Sequence, residues 1–279
     1  MNNITISFDQ EQYFKKIEFE EDITLTLGQR RWYCHQQSIL GDKVKQEYPS
    51  TVSEAFLASS DAFYFAQAIA TMYDEGRALN INPYDALLPV YIAMDIGLND
   101  LTIMIFFQLC HGEIRIIDYY EDKDKDVPFY ANFLLQDKKY LYHTIFLPHD
   151  STKRDYLDIN NSYERDFKRL FSHTGTRFHV LKKMDKQLQI SHAKISLSRC
   201  VFNLARTKKL IDNIAKYRKT WHEATGRYLA DPYHNLASNY ADAFQYTCQG
   251  VSHLETAGNM QGALQAHKQV VENRYKRII

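Results

Sequence analysis

The sequence predicts an α/β fold in which helices flank a mixed five-stranded sheet of strand order 3-2-1-4-5. Its first part is expected to be an antiparallel meander, because three short runs rich in Val, Ile, Tyr and Phe are separated only by turns. These runs occupy residues 88–94, 101–108 and 113–119.

The fourth and fifth predicted strands each follow a predicted helix. The strand in HTIFLPHD, at 143–150, comes after a helix at 126–139, and the strand at 177–181 comes after a helix at 163–172. A helix between two strands requires a crossover, so both strands should run parallel to the first. In the predicted order the first and fourth strands are neighbours. Their carboxyl ends then lie side by side, where open α/β sheets place their sites.

Further helices are predicted on both sides of the strand-rich region. Their ranges are 25–40 and 61–75 before it, and 190–221 (as one or two helices), 237–248 and 262–276 after it. Gly, Asn and Pro residues between 76 and 84 mark a boundary. We therefore expect an N-terminal segment at 1–85, a main domain at 86–250 and a helical tail at 251–279.

The composition is ordinary for a soluble globular protein, with 45% hydrophobic and 24% charged residues among 279. No apolar run has the length of a membrane span, and the N-terminus lacks a signal-peptide pattern, so we expect a cytoplasmic protein with no membrane partner. The four cysteines are far apart and form no CxxC pair. This spacing argues against a zinc site and against a disulfide framework.

The net charge is zero, but the charges are unevenly distributed. Between Lys194 and Lys219 eight cations accompany the single anion Asp212, whereas the segment 118–126 is acidic. One face could therefore meet a polyanion, although two solvated faces would give the same pattern. The cations that are candidates for contacting such a polyanion are Lys182, Lys183, Arg199, Lys208 and Lys209.

Two aspartates follow the ends of predicted neighbouring strands, Asp95 after the first and Asp150 after the fourth. Carboxylates placed side by side repel one another unless a cation lies between them. Taken alone, Asp95 could also be a turn residue bonded to its own backbone. A third aspartate, Asp242, lies in mid-helix beside a face of small residues. Either metal ligation or a buried bond to a backbone amide would account for it.

Four segments resemble, in chain order, motifs of the C-terminal nuclease domain of the large subunit of tailed-phage terminases. They are MDIGLNDLT at 94–102, GEIRIIDYYE at 112–121, FLPHD at 146–150 and DPYHNLASNYADAFQY at 231–246. KQEYPSTVSEAF, at 45–56, resembles the end of the ATPase module that precedes the nuclease in that family. Each segment is a weak signal by itself, and their combination is a specific one.

The resemblance implies an RNase H-like nuclease domain at 86–250 behind a helical N-terminal extension at 1–85, the latter corresponding to the end of the ATPase module. It implies an endonuclease that cuts double-stranded DNA during phage genome packaging, with two Mg²⁺ or Mn²⁺ ions. Asp95 would bridge the ions, and Asp150 and Asp242 would each hold one. Residues expected to assist them are Asp100, Glu121 and His234.

Two features depart from the family pattern. Many relatives have Ser-His before the Ala-Asp-Ala block, where this chain has Ser238 and Asn239. No segment reads GxxxxGK[ST], so the phosphate-binding loop of the packaging ATPase is not found and ATP hydrolysis is not expected.

The expected partners are double-stranded DNA and, in the host cytoplasm, a separate packaging ATPase, the small terminase subunit or the portal. The alternative function is that of a catalytically silent module, from a split or decayed terminase, that docks on DNA or on the motor.

Overall fold

The computed structural model describes residues 4–20, 23–41, 44, 48, 50, 62–97, 100–138, 140–152 and 162–256. The predicted helix at 262–276 and most of KQEYPSTVSEAF lie outside these residues. The chain divides into two compact units, Met1–Phe63 and Tyr64–Ile279, so the larger unit also contains residues 64–85.

The described part of the smaller unit includes two helices, α1 at Phe8–Glu20 and α2 at Leu27–Leu40, the second of which confirms the helix predicted at 25–40. Thr26 caps α2 in a reciprocal arrangement with Gln29, which satisfies two backbone N–H groups at the helix start. A small apolar core joins the helices and includes Phe14, Ile17, Tyr33 and Cys34.

Seven strands form the main sheet of the larger unit. They are β1 Ala78–Leu79, β2 Val90–Asp95, β3 Leu101–Cys110, β4 Glu113–Lys123, β5 Tyr142–Leu147, β6 Arg177–Val180 and β7 Cys200–Asn203. Their order is β1-β7-β4-β3-β2-β5-β6. Strands β2, β3 and β4 form an antiparallel meander, and β5 and β6 continue the sheet parallel to β2. The predicted order 3-2-1-4-5 is therefore confirmed for the five strands that were predicted.

The sheet contains two strands that the sequence did not predict, β1 and β7. Strand β7 pairs parallel to β4, and β1 pairs parallel to β7. The prediction of one or two helices over 190–221 was wrong at β7, a four-residue run in which Cys200 and Phe202 are buried. Periodicity cannot distinguish helix from strand in so short an apolar run.

Within the described ranges, six α-helices accompany the sheet: α3 Ala66–Asp74, α4 Val127–Asn132, α5 Tyr163–Leu170, α6 Lys186–Leu197, α7 Leu204–Ala215 and α8 Leu236–Thr256. Asp126, Ser162 and Asp185 cap the N-termini of α4, α5 and α6 with their side-chain oxygens. Helix α4 continues into a π-helical segment, Phe133–Lys138. Among the described residues, none of the helices has the length and apolar character needed to cross a bilayer.

A separate antiparallel pair precedes α8. It consists of β8 Lys219–His222 and β9 Arg227–Pro232, joined through a 3₁₀ turn at Glu223–Thr225. The sequence prediction of helix up to Trp221 was wrong here as well, because β8 has only four residues and its strand partner lies beyond the predicted helix.

Apolar side chains fill both faces of the main sheet. On β2, Tyr91 and Ala93 belong to the cluster that includes Phe244 of α8, whereas Ile92 and Met94 belong to the cluster on the opposite face. Because both faces are covered, the central strands are continuous apolar runs rather than alternating ones. All four cysteines are free thiols, and all but Cys110 are buried.

Helix α8 lies directly on the sheet, against β2 and β3 and, near its C-terminal end, against β5. A Cβ atom at Gly250 would lie 2.8 Å from the ring of Phe146, which is fully buried in β5. Only glycine therefore allows this close approach, and Gly250 sets the distance between α8 and the sheet.

Gly250→Ala is expected to lower the free energy of unfolding by about 1–3 kcal/mol, the usual cost of an extra methyl group in a packed core. Chemical denaturation measures the loss. Gly28→Ala in α2 is the control, because its nearest neighbour would be Thr26 Oγ1 at 3.9 Å. The double variant Gly250→Ala with Phe146→Leu should lose less than the two single losses combined. If the loss in the double variant equalled the sum of the two single losses, the assigned contact between Gly250 and Phe146 would be contradicted.

Candidate active site

Three aspartates lie at one edge of the sheet. Asp95 is the last residue of β2, and Asp150 follows the end of β5, the strand that pairs parallel to β2. The carboxyl ends of β2 and β5 therefore point to the same edge. Asp242 comes from the second turn of α8, which packs across β2 and β3.

The three carboxylates are close enough to influence one another. The pKa of Asp95 is raised well above its ordinary value, first by burial and then by the negative charges of Asp242, Asp150 and Asp100, while Lys186 opposes the increase. The carboxylate of Asp95 is partly buried, and within the described part of the chain it accepts no hydrogen bond and forms no ion pair. A partly buried carboxylate without such a bond destabilises the folded state.

Asp242 has a cationic neighbour. Lys186 Nζ, at the start of α6, lies 2.8 Å from Asp242 Oδ1, and Gln245 Nε2 donates to the same oxygen at 3.2 Å. Burial raises the pKa of Asp242, and the charge and hydrogen bond of Lys186 oppose the increase. Lys186 therefore offsets part of the repulsion within this acid cluster, by which we mean Asp95, Asp150 and Asp242.

Two further contacts fix the first turns of α8. Asn239 Nδ2 donates to Asp100 Oδ1 at 2.9 Å, and the Tyr240 hydroxyl donates to Glu121 Oε2 at 2.5 Å. Lys209 of α7 also contacts Glu121. Asp100 and Glu121 thus lie beside the acid cluster but are engaged in holding α8.

His234 precedes α8 and is exposed. Its Nδ1 lies 3.0 Å from Ser238 Oγ, and the Ser238 hydroxyl donates to the Asn235 carbonyl at 2.5 Å. Because a hydroxyl has one proton, Nδ1 of His234 is the donor to Ser238. His234 is also near enough to Asp242 to oppose the rise in its pKa.

The five predicted phosphate-contacting cations lie in different places. Lys182 and Lys183 are exposed just before α6, on the segment that leads to Lys186. The other three are in ion pairs: Arg199 with Glu255 at 2.8 Å, Lys208 with Asp212 at 2.9 Å, and Lys209 with Glu121. Glu255 lies near the C-terminal end of α8, about 20 Å along the helix from Asp242 at 1.5 Å per residue.

Sequence reasoning missed two residues of this site, Lys186 and Tyr246. Burial raises the pKa of Tyr246, and so do the charges of Asp95, Asp242 and Asp150, which places its hydroxyl near all three acids. The spacing i, i+4 from Asp242 puts Tyr246 on the same face of α8 and could have revealed it. No comparable signal exists for Lys186, because its contact with Asp242 joins distant parts of the chain.

The chemistry of these side chains suits a hard divalent cation, since Mg²⁺ and Mn²⁺ prefer carboxylate oxygens. The Asp95 carboxylate, which has no hydrogen bond or ion pair in the described part of the chain, is likewise suited to such a cation. In the described ranges, however, no three His, Cys, Asp or Glu side chains are arranged so that they could hold a metal ion. The ion pair between Lys186 and Asp242 provides a physical reason, because it engages one of the three acids.

Asp95→Asn is expected to stabilise the protein when no divalent metal is present, by roughly 1–2 kcal/mol, because it removes a partly buried charge next to two like charges. Thermal unfolding in EDTA at pH 7.5 measures the gain. Added Mn²⁺ should raise the unfolding temperature of the wild type more than that of the variant. Asp212→Asn on α7 is the control, and a lower stability of Asp95→Asn in EDTA would contradict the assigned repulsion.

Comparison with solved structures finds similarity to phage large terminases and to their nuclease domains. A large terminase from a thermophilic bacteriophage has a TM-score of 0.49 and 15% identity, over 66% of this chain and 45% of that one. The large terminase nuclease domain of bacteriophage SPP1, solved with bound Mn, has a TM-score of 0.41 and 17% identity, over 57% and 84%.

A large terminase nuclease from a thermophilic phage, solved with bound magnesium, has a TM-score of 0.41 and 13% identity, over 59% and 82%. This chain thus spans less than half the length of the large terminase described first. No protein-family model and no curated protein matches the sequence.

Proposed function

We propose that this chain is a divalent-metal-dependent endonuclease that hydrolyses double-stranded DNA during phage genome packaging. The observation that carries the proposal is the acid cluster at the carboxyl ends of β2 and β5, with an unpartnered carboxylate on Asp95. Such clusters are suited to phosphodiester hydrolysis, because hard cations held by carboxylates can contact phosphate oxygens.

In the proposed site Asp95 would hold both of two ions, and Asp150 and Asp242 would each hold one. When bound, Mg²⁺ or Mn²⁺ would supply a water of lowered pKa and would stabilise the leaving oxygen. Asn239 and Tyr240 keep Asp242 over the end of β2 through their bonds to Asp100 and Glu121. His234 is proposed to assist binding beside Asp242.

Contacts with the DNA backbone are proposed for Lys182 and Lys183, which are exposed and lie close in sequence to Lys186. Arg199, Lys208 and Lys209 remain candidates, but each would first have to leave the acidic partner that it now contacts. The proposed protein partners are a separate packaging ATPase, the small terminase subunit or the portal, and the proposed location is the host cytoplasm.

One observation favours a second candidate function. The ammonium group of Lys186 lies on Asp242 Oδ1, where a metal ion would otherwise be expected, and this would suit a catalytically silent module that docks on DNA or on the packaging motor. Cleavage of plasmid DNA separates the two functions.

The wild type is expected to convert supercoiled plasmid into nicked and linear forms with Mn²⁺ and to lose this activity in EDTA. Asp95→Asn, Asp150→Asn and Asp242→Asn should each lower the rate at least about a hundredfold, because each removes a proposed metal ligand. Asp212→Asn, an exposed acid on α7, should cleave at the wild-type rate. Unchanged cleavage by Asp95→Asn would exclude the proposed site, and a wild type that binds plasmid without cleaving it would support the silent module.

Replacing Lys182 and Lys183 together by alanine should weaken duplex binding and lower the slope of log K against log salt by about 1.8, because each phosphate contact contributes about 0.9. Fluorescence anisotropy with a labelled duplex in EDTA, at several salt concentrations, measures both changes. Arg169→Ala, at an exposed arginine of α5 that is paired with Asp166, is the control and should leave the slope unchanged. A double variant with the wild-type slope would show that these lysines do not contact phosphates.

A further inference from the structure

The β8–β9 hairpin, together with its flanking residues from Lys216 to Tyr233, exposes aromatic rings to solvent. The side chains of Trp221 and Tyr233 are 45% and 43% exposed. Trp221 meets Tyr228 edge to face, with 4.8 Å between ring centroids, and the guanidinium carbon of Arg218 lies 4.9 Å from the centroid of the Tyr233 ring. Large rings are among the side chains that gain most from burial, so an exposed set of them indicates a binding surface.

The same hairpin is basic. Its charged residues are the cations Lys216, Arg218, Lys219 and Arg227 and the anions Glu223 and Asp231. In the part of the chain that the structure describes, none of the four cations forms an ion pair, in contrast to Arg199, Lys208 and Lys209. Unpaired cations next to exposed rings complement a ligand that has both negative charge and flat apolar faces.

Contacts of Ala230 fix the hairpin beside the acid cluster. The Ala230 carbonyl accepts hydrogen bonds from the Tyr64 hydroxyl, at 2.5 Å, and from Gln187 Nε2. Gln187 follows Lys186, which pairs with Asp242. Strand β9 also leads directly through His234 into α8.

We propose that the β8–β9 hairpin binds unpaired nucleotides of a DNA strand next to the acid cluster, an inference that rests on the proposed nuclease function. In a duplex the faces of the bases are stacked inside, so a duplex would offer this surface only sugars and phosphates. Unpaired bases offer their faces to Trp221 and Tyr233, while the four cations contact the phosphates between them. The substrate class is therefore duplex DNA with a melted, frayed or nicked segment at the site.

The experiment uses the intrinsic fluorescence of Trp221 in the full chain. Only two tryptophans are present, so Trp32→Phe leaves Trp221 as the single reporter. This variant is titrated, in EDTA to prevent cleavage, with a short oligothymidylate and with a blunt duplex of equal length. The single strand is expected to quench Trp221 and the duplex to leave its emission nearly unchanged, because stacking on a base changes the surroundings of the indole.

Affinity provides a second measurement. In the wild-type background Trp221→Leu should weaken binding of the single strand at least about fivefold, whereas Trp221→Phe, which keeps an aromatic face, should retain it. Both changes are at an exposed position and should not affect folding. Ile195→Ala, at a 70% exposed apolar residue of α6, is the control for a general loss of surface apolar area and should have no effect.

Equal quenching by duplex and single strand, or unchanged affinity of Trp221→Leu for the single strand, would overturn the proposal. Because the titration contains no metal, its failure is distinct from failure of the nuclease function. A protein that nicks plasmid with Mn²⁺ but shows no quenching would retain the nuclease function and lose the hairpin site. Quenching without nicking would retain the hairpin site and lose the nuclease function.

Discussion

Repulsion among the acidic side chains at the edge of the sheet is the constraint on which the arrangement of the larger unit depends. Asp95 is the last residue of β2, and its burial and negative neighbours raise its pKa. The fold must therefore hold Asp242 near it against an unfavourable interaction. Lys186 reduces that interaction, and the bonds from Asn239 to Asp100 and from Tyr240 to Glu121 resist what remains.

Helix α8 connects this electrostatic constraint to the core. Its first turns hold Asp242, and its later turns pack on β5 at Gly250, where the ring of Phe146 leaves no room for a side chain. The position of the acidic residue is thus set by apolar packing two turns away as well as by polar contacts around it. A dense interior transmits such a constraint because it contains little space for adjustment.

Much of this architecture could be predicted from the sequence, and the remainder depended on contacts between distant residues. Strands β2 to β6 and their order were predictable because long apolar runs alternate with turns and helices. Strand β7 was not, because four residues carry too little periodicity, and Cys200–Asn203 becomes a strand only by pairing with β4.

Contacts between residues distant in the sequence also limited the prediction of the site. Lys186 could not be assigned to the acid cluster, nor Arg199 to Glu255, because neither pairing exists until α8 is packed on the sheet. Tyr246 differs from these two, since helical spacing from Asp242 already places it on the correct face.

The three aspartates are far apart along the chain, so the ribosome adds them at different times. Asp95 and Asp150 belong to the region of the meander and β5, which leaves the ribosome well before α8. Synthesis proceeds from the N-terminus, and a domain folds as a unit, so a partly made chain has two of the acids but neither Asp242 nor the hairpin. If the proposed function is correct, a nascent chain cannot cut DNA, and the potentially harmful activity arises only when translation of this unit is nearly complete.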